Sequence, residues 1–196
     1  MPALPPRLIL ASTSTYRRAL LERLGLEFSS VPPGIEESRV AQECPRERAV
    51  RLAQAKAAAV AAREPQAAVI ASDQVAAVGA STLEKPGEPA RAREQLALLA
   101  GATAHFYTAC AVACPALGFA ELHLDTTIVR FRALSAGEID RYVAREQPLD
   151  CAGAFKAEAL GISLLERIES EDPTALVGLP LIWVAAALRR LGFAVP

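Results

Sequence analysis

Short apolar runs alternate along the chain with segments of helical spacing, so strands and helices are predicted in turn. Leu8-Ile9-Leu10-Ala11 is an apolar run that breaks into the hydroxyl-rich turn Ser12-Thr13-Ser14-Thr15. Tyr16, Arg17 and Arg18 follow, and Ala19 to Gly25 continues with helical spacing. Glu27 to Val31 reads as a short strand closed by Pro32-Pro33-Gly34. Pro45 suits the first position of a helix that reaches Arg63. Ala49, Leu52, Ala53, Ala57 and Val60 form its apolar face, and Lys56 falls on that same face. Ala67 to Ser72 reads as a short buried strand parallel to the first, ending in Asp73-Gln74-Val75.

Further along, Leu83 to Gly87 is a turn, and a helix is expected from Pro89 to Ala100, stopped by Gly101. Ala104 to Ala113 and Glu121 to Phe131 read as two long strands of a hairpin turning at Cys114 to Gly118, which makes the sheet mixed. Ser135 and Glu138 form a capping box for a helix reaching Arg145. Cys151 to Glu158 is a loop of small residues with one lysine and one acid. Ile162 to Ile168 is expected to be a strand. Val177-Gly178-Leu179-Pro180 then opens a final helix from Leu181 to Arg190, stopped by Gly192, with Trp183 in the core.

Composition narrows the partners. A chain of 196 residues fits one domain with a real core, and a net charge of -1 argues against nucleic acid or an anionic membrane. The apolar stretch Leu179 to Leu188 is too short to span a bilayer. Met1 to Arg7 holds no leader-like apolar region, so a cytoplasmic location is expected. Cys44, Cys110, Cys114 and Cys151 form no C-x-x-C pair, and His105 and His123 are the only histidines. A zinc framework or disulfide scaffold is excluded, and buried reduced thiols are expected.

Candidate chemistry clusters at loops and strand ends. The turn after the first strand meets a helix N-terminus, which suits an anion. Ser12, Ser14, Arg17 and Arg18 are additional donors there. Equally, Ser14 could be only a cap, with both arginines in solvent. Lys56 could snorkel outward or present its ammonium to a phosphate. Asp73 stands where α/β sheets gather ligands, or caps a turn. Together with Glu36, Glu37, Glu158, Lys85 and Lys156, these residues suit a polyanionic substrate with a divalent metal. No phosphate-loop lysine signature, G-x-S-x-G or H-E-x-x-H is present. The residues alone therefore point to metal-assisted phosphate chemistry in an α/β cleft.

LILASTSTYRR at Leu8 to Arg18, the pair Glu36-Glu37, RLAQAKA at Arg51 to Ala57 and SDQV at Ser72 to Val75 occur in that order. EKP at Glu84 to Pro86, CAGAFKAE at Cys151 to Glu158 and VGLPL at Val177 to Leu181 complete the set. With these pieces, the chain resembles the Maf family of nucleoside triphosphate pyrophosphatases over nearly its whole length. It is most similar to the 7-methyl-GTP subfamily, in which an aromatic precedes the double arginine and SDQV stands in place of a DTVV-type run.

The resemblance implies a single Maf-like domain over 1–196. Its fold would be two-lobed α/β, with a long twisted mixed β-sheet flanked by helices, a cleft between lobes, and often a homodimer. The implied reaction cleaves between the α- and β-phosphates of 7-methyl-GTP with Mg²⁺ or Mn²⁺. Asp73 becomes the proton acceptor and a metal ligand. Ser12, Arg17, Arg18, Lys56, Lys85 and Lys156 become substrate ligands. Glu36 or Glu37 meets metal or water, and Tyr16, Gln74 and Glu158 set specificity. Thr15 replaces the family's usual proline, and Ala159 a common glycine, which would be strained if that position needs positive φ. Two alternatives remain at this stage: a dTTP/UTP enzyme of the same family, and a nucleotide-binding regulator of cell division.

Overall fold

β1 (Leu8–Leu10) feeds α1 (Thr15–Glu22), and β2 (Phe28–Ser30) precedes α2 (Pro45–Arg63). These positions come from a computed structural model, which describes residues 5–79 and 81–196. The absence of a leader in the first four residues is a reading that lies outside those described. The later elements are β3 (Ala68–Val78), β4 (Ser81–Leu83), α3 (Pro89–Leu99), β5 (Thr103–Cys114), β6 (Phe119–Phe131), α4 (Ala136–Glu146), β7 (Leu165–Glu169) and α5 (Leu181–Arg190). The strands hydrogen-bond in the order β2-β1-β3-β5-β6-β7, with β4 paired to β3 off that path. β1 is parallel to β2 and β3, whereas β3–β4 and β6–β7 are antiparallel. The expected mixed α/β sheet with flanking helices is therefore present. Among the described residues no helix is long and apolar enough to cross a membrane.

The chain divides into two compact units, and β3, β5 and β6 contribute residues to both. The first unit holds the residues up to Asp73, Thr108–Asp125 and Asp172–Pro196. β1 and the start of β3 are buried on both faces, which is why their sequences read as continuous apolar runs. On one face Leu8, Leu10, Ala68, Ile70, Cys110 and Val112 pack against Leu20 and Leu21 of α1 and Val184, Ala187 and Leu188 of α5. The intervening residues Ile9, Ala11, Val69, Ala71 and Ala111 pack against Ala57, Val60 and Ala61 of α2. Trp183 is half-buried rather than central: it packs against the first cluster and stacks on His123 at 5.3 Å.

The second unit holds Gln74–Tyr107 and Thr126–Glu171. Phe155 stands edge-on to Phe106 at 5.5 Å and to Phe131 at 5.3 Å. Gly153, at φ 74°, sits against Phe106, Leu83 and Leu99, and it is the positive φ rather than lack of space that favours glycine there. α4 starts at the predicted capping box. Ser135 Oγ accepts from Glu138 N at 3.4 Å, and the Glu138 carboxylate accepts from Ser135 N at 2.8 Å.

Several expectations need correcting. The strand expected to end at Ser72 continues to Val78, because the apolar alternation runs on through Val75, Ala76 and Ala77. Asp73 therefore lies mid-strand, not beyond a strand's carboxyl end. Leu160–Leu164 winds as 3₁₀ turns, so the strand expected from Ile162 begins only at Leu165. Cys110 and Cys114 are buried free thiols as expected, but Cys44 is exposed and Cys151 half-buried. Ala159 has φ -133°, so the position does not need positive φ and the replacement of glycine there carries none of that strain.

The Ser135 backbone N–H, the Ser135 hydroxyl and Arg132 hold the Glu138 carboxyl well below the usual range, at about 2. A depressed acid stabilises the fold above its ordinary pKa and loses that contribution as pH falls toward 2. Glu138→Gln is expected to lower the urea midpoint at pH 7, with the gap from the unsubstituted protein closing as pH approaches 2.

Candidate active site

The first unit brings together a group of side chains that are far apart in sequence. Lys56 lies on the buried face of α2, and its side chain is 7% exposed. Its Nζ donates to Asp73 Oδ1 at 2.6 Å and pairs with Glu37 Oε1 at 2.8 Å. The snorkelling alternative is thereby excluded, since the ammonium ends between two carboxylates rather than in solvent. Asp73 is itself buried, and the cost of desolvating its charge pushes its carboxyl pKa upward. Lys56 and Arg17 pull the other way, while the Glu37 charge adds to the rise.

Arg17 arrives from the first turn of α1. Ser14 caps that helix, its Oγ accepting from Arg17 N at 3.4 Å. Ser12 is buried, and its Oγ accepts from Ser14 N at 3.1 Å, which shapes the turn. The cap reading of Ser14 is thus correct, and the arginine beside it is not a solvent group. Arg17 Nε donates to the carbonyl of Gly178 at 3.0 Å. Burial lowers its pKa, with Asp73, Cys110 and Glu37 opposing the shift. The Cys110 thiol is pushed up by burial and stays protonated. Arg18 faces elsewhere: it pairs with Glu22 at 3.0 Å and covers the Phe28 ring at 5.9 Å.

Gly178 and Ser72 are functional candidates that the sequence reading missed. Ser72 is fully buried and donates to the same Gly178 carbonyl at 2.7 Å. Alternation along β3 explains the division of labour: Ser72 points to the face carrying Gly178, and Asp73 to the face carrying α2. The turn holding Gly178 is fixed by Thr108, whose Oγ1 donates to Ala175 O at 2.9 Å. Asp172 also pins it, accepting from Thr174 N at 2.9 Å and from Ile182 N at 2.7 Å at the start of α5. The VGLPL run contains the signal, a glycine two residues before the proline that opens the final helix.

Glu36 does not join the group. It is exposed and, among the described residues, makes no hydrogen bond or ion pair. No set of three or more His, Cys, Asp or Glu side chains converges among the described residues. The carboxylates of Glu37 and Asp73 nevertheless share one ammonium, and paired oxygen donors of this kind suit a hard divalent cation.

Gln74, Lys85, Lys156 and Glu158 belong to the second unit. Lys85 and Glu158 are exposed, and Gln74 is half-buried. Lys156 is held by its backbone and side chain alike. Its N–H donates to Tyr142 Oη at 3.0 Å, and its Nζ lies 3.3 Å from Glu146 O and 3.5 Å from Glu146 Oε1. Glu146 also accepts from Leu160 N at 3.2 Å, so one carboxylate holds both ends of the turn bearing Glu158. Gly161 packs so closely on this turn that a Cβ would lie 2.4 Å from Lys156 O.

An α/β protein with a buried lysine set between two acids, and an arginine held beside them by a glycine carbonyl, is equipped to bind and process a polyanion. The sequence profile of the family described as Maf-like protein matches residues 7–191, and the chain belongs to that family. Its similar relatives include the 7-methyl-GTP pyrophosphatase of Xanthomonas axonopodis pv. citri (strain 306). That protein is 55% identical over 192 residues, covering 97% of this chain and 100% of the relative. The 7-methyl-GTP pyrophosphatase of Albidiferax ferrireducens is 49% identical over 189 residues, covering 96% and 95%. That of Bordetella pertussis is 48% identical over 196 residues, covering 98% and 96%.

Gly178 has φ 120°, and a Cβ there would lie 3.4 Å from Arg17 Nε. Gly178→Ala is expected to destabilise the protein by about 1–3 kcal/mol, read from chemical denaturation.

Proposed function

We propose that the protein hydrolyses the α–β phosphoanhydride of 7-methyl-GTP, releasing 7-methyl-GMP and pyrophosphate. The observation that carries this reading is the Lys56 ammonium placed between Asp73 and Glu37, with Arg17 alongside. The names of the similar relatives support the substrate.

In this reading Asp73 accepts a proton from water as its oxygen attacks the α-phosphorus and the bond to the bridging oxygen breaks. Burial raises the basicity of Asp73, which suits a proton acceptor. Lys56 and Arg17 bind phosphate oxygens and offset the charge that develops on the leaving pyrophosphate. Arg17 Nε is engaged by Gly178, which leaves the two Nη groups as the forked donors for phosphate. Ser12 contributes a hydroxyl, Lys85 is a further triphosphate ligand, and Lys156 is a further substrate-binding residue. Glu37 and Asp73 would hold a divalent cation, which supplies Lewis-acid polarisation of the phosphate when bound. Arg18, tied to Glu22, is at most a long-range contributor of charge.

Tyr16, Gln74 and Glu158 are assigned to base choice. N7 methylation makes the base cationic, and its stacking on the Tyr16 ring is favourable by about 0.5–2 kcal/mol. The Glu158 carboxylate accepts from the guanine N1–H and exocyclic amine, and Gln74 offers one donor and one acceptor.

Pyrophosphate release from 7-methyl-GTP, GTP, dTTP and UTP with Mg²⁺ or Mn²⁺ tests the reading. Turnover is expected to be fastest on 7-methyl-GTP, and Asp73→Asn should lower kcat by about 10²–10⁴-fold. Faster turnover of dTTP or UTP overturns the substrate assignment. Tyr16→Ala is expected to reduce the preference for 7-methyl-GTP over GTP by about 2- to 30-fold, measured as the ratio of the two kcat/KM values.

A further inference from the structure

Residues 31–40 form no helix or strand, yet this stretch delivers Glu37 to a buried ammonium. A loop gains entropy by wandering, so one carboxylate can stay 2.8 Å from Lys56 only if the backbone around it is tied down. The ties come from α2. Arg63 Nη2 donates to the carbonyls of Pro32 at 3.0 Å and Pro33 at 3.3 Å, which fixes where the loop begins. Arg51 acts next to Glu37 itself. Its Nη2 donates to the carbonyl of Ser38 at 3.1 Å. Its Nε and Nη2 also grip the two oxygens of Glu43 at 2.5 and 2.7 Å.

The side chain of Glu43 is 9% exposed and that of Arg51 36%, so the pair is shielded mainly on the carboxylate side, and its two-point geometry is what distinguishes it from an ordinary surface ion pair. Arg51 and Lys56 stand on one helix, so the clamp on the loop and the ammonium that meets Glu37 share a rigid frame. We propose that Arg51 is a positioning residue that holds Glu37 against Lys56 and Asp73. The guanidinium fork is essential to this role, because a lysine ammonium cannot grip Glu43 at two points and still reach Ser38.

The kinetic part of the test rests on the hydrolytic reading above. Arg51→Gln and Arg51→Lys are made alone and together with Glu37→Gln, and each is assayed for pyrophosphate release from 7-methyl-GTP with Mg²⁺. Hydrogen exchange of residues 36–43 is followed by mass spectrometry. Arg51→Gln is expected to lower kcat about 10-fold, as removal of an outer positioning partner does, with KM changing less. Lysine should not restore the rate. In the Glu37→Gln background the Arg51 substitution should add almost nothing, because its effect passes through Glu37. Exchange at 36–43 should quicken while the centre of α2 stays protected.

A fully additive double variant, or Arg51→Gln with unchanged kcat, overturns the proposal. If the unsubstituted protein releases no pyrophosphate from any triphosphate, the hydrolytic reading fails instead. Exchange then decides the clamp: unchanged exchange at 36–43 in Arg51→Gln refutes it, and faster exchange confined there supports it.

Discussion

The structure of the first unit depends on one buried ammonium. Removing Lys56 from water costs several kcal/mol unless charges and hydrogen bonds surround it. Asp73 and Glu37 compensate it, and each does so from a different kind of backbone. Asp73 is held in the interior of a strand, its backbone fixed by the sheet. Glu37 is half-exposed on a loop and reaches its place only because the loop is fastened to α2. The helix itself lies close enough to the sheet for this contact because its buried face is mostly alanine. A larger face would lift the lysine away from Asp73.

Arg17 obeys the same constraint with a different solution. Its guanidinium is desolvated, and a carbonyl compensates part of that cost. The Gly178 carbonyl is available because the preceding turn is anchored by Thr108 and Asp172 and because glycine accepts φ 120°. Ser72 shares that carbonyl, so the strand carrying Asp73 also fixes the acceptor for Arg17. Two cations are thereby located through one stretch of β3, on its two faces.

Much of this was legible from residue patterns. Strands buried on both faces write themselves as apolar runs, and Leu8 to Ala11 and Ala67 to Ala71 did so. The Ser135–Glu138 box and Pro45 marked helix starts correctly because capping is a local matter. Lys56 drew notice as a charge on an apolar face, which has few physical explanations. Ser72, Asp73 and Gln74 look like turn residues, and the neighbouring strand β5, distant along the chain, overrides that preference and extends β3 through them. Ile162 to Leu164 resemble the start of a strand by apolar content, yet Ile162 is exposed, only Leu164 is buried, and the backbone winds as 3₁₀ turns.

Residue pattern alone was enough for the mixed α/β class, the placement of most helices, and the set of acids and cations that could form a site. Their residue types and order were also enough to carry the family resemblance. Which of them meet is set by long-range packing. Glu36 and Glu37 are adjacent and chemically identical, yet one reaches Lys56 and the other stays in solvent. Arg17 and Arg18 are likewise neighbours, and one is half-buried against Gly178 while the other pairs with Glu22. Successive residues on a helix point about 100° apart, and a loop aims each side chain by where it is tied. Those directions are set by contacts distant along the chain, such as Gly178 to Arg17 and Ser38 to Arg51, which no local pattern encodes.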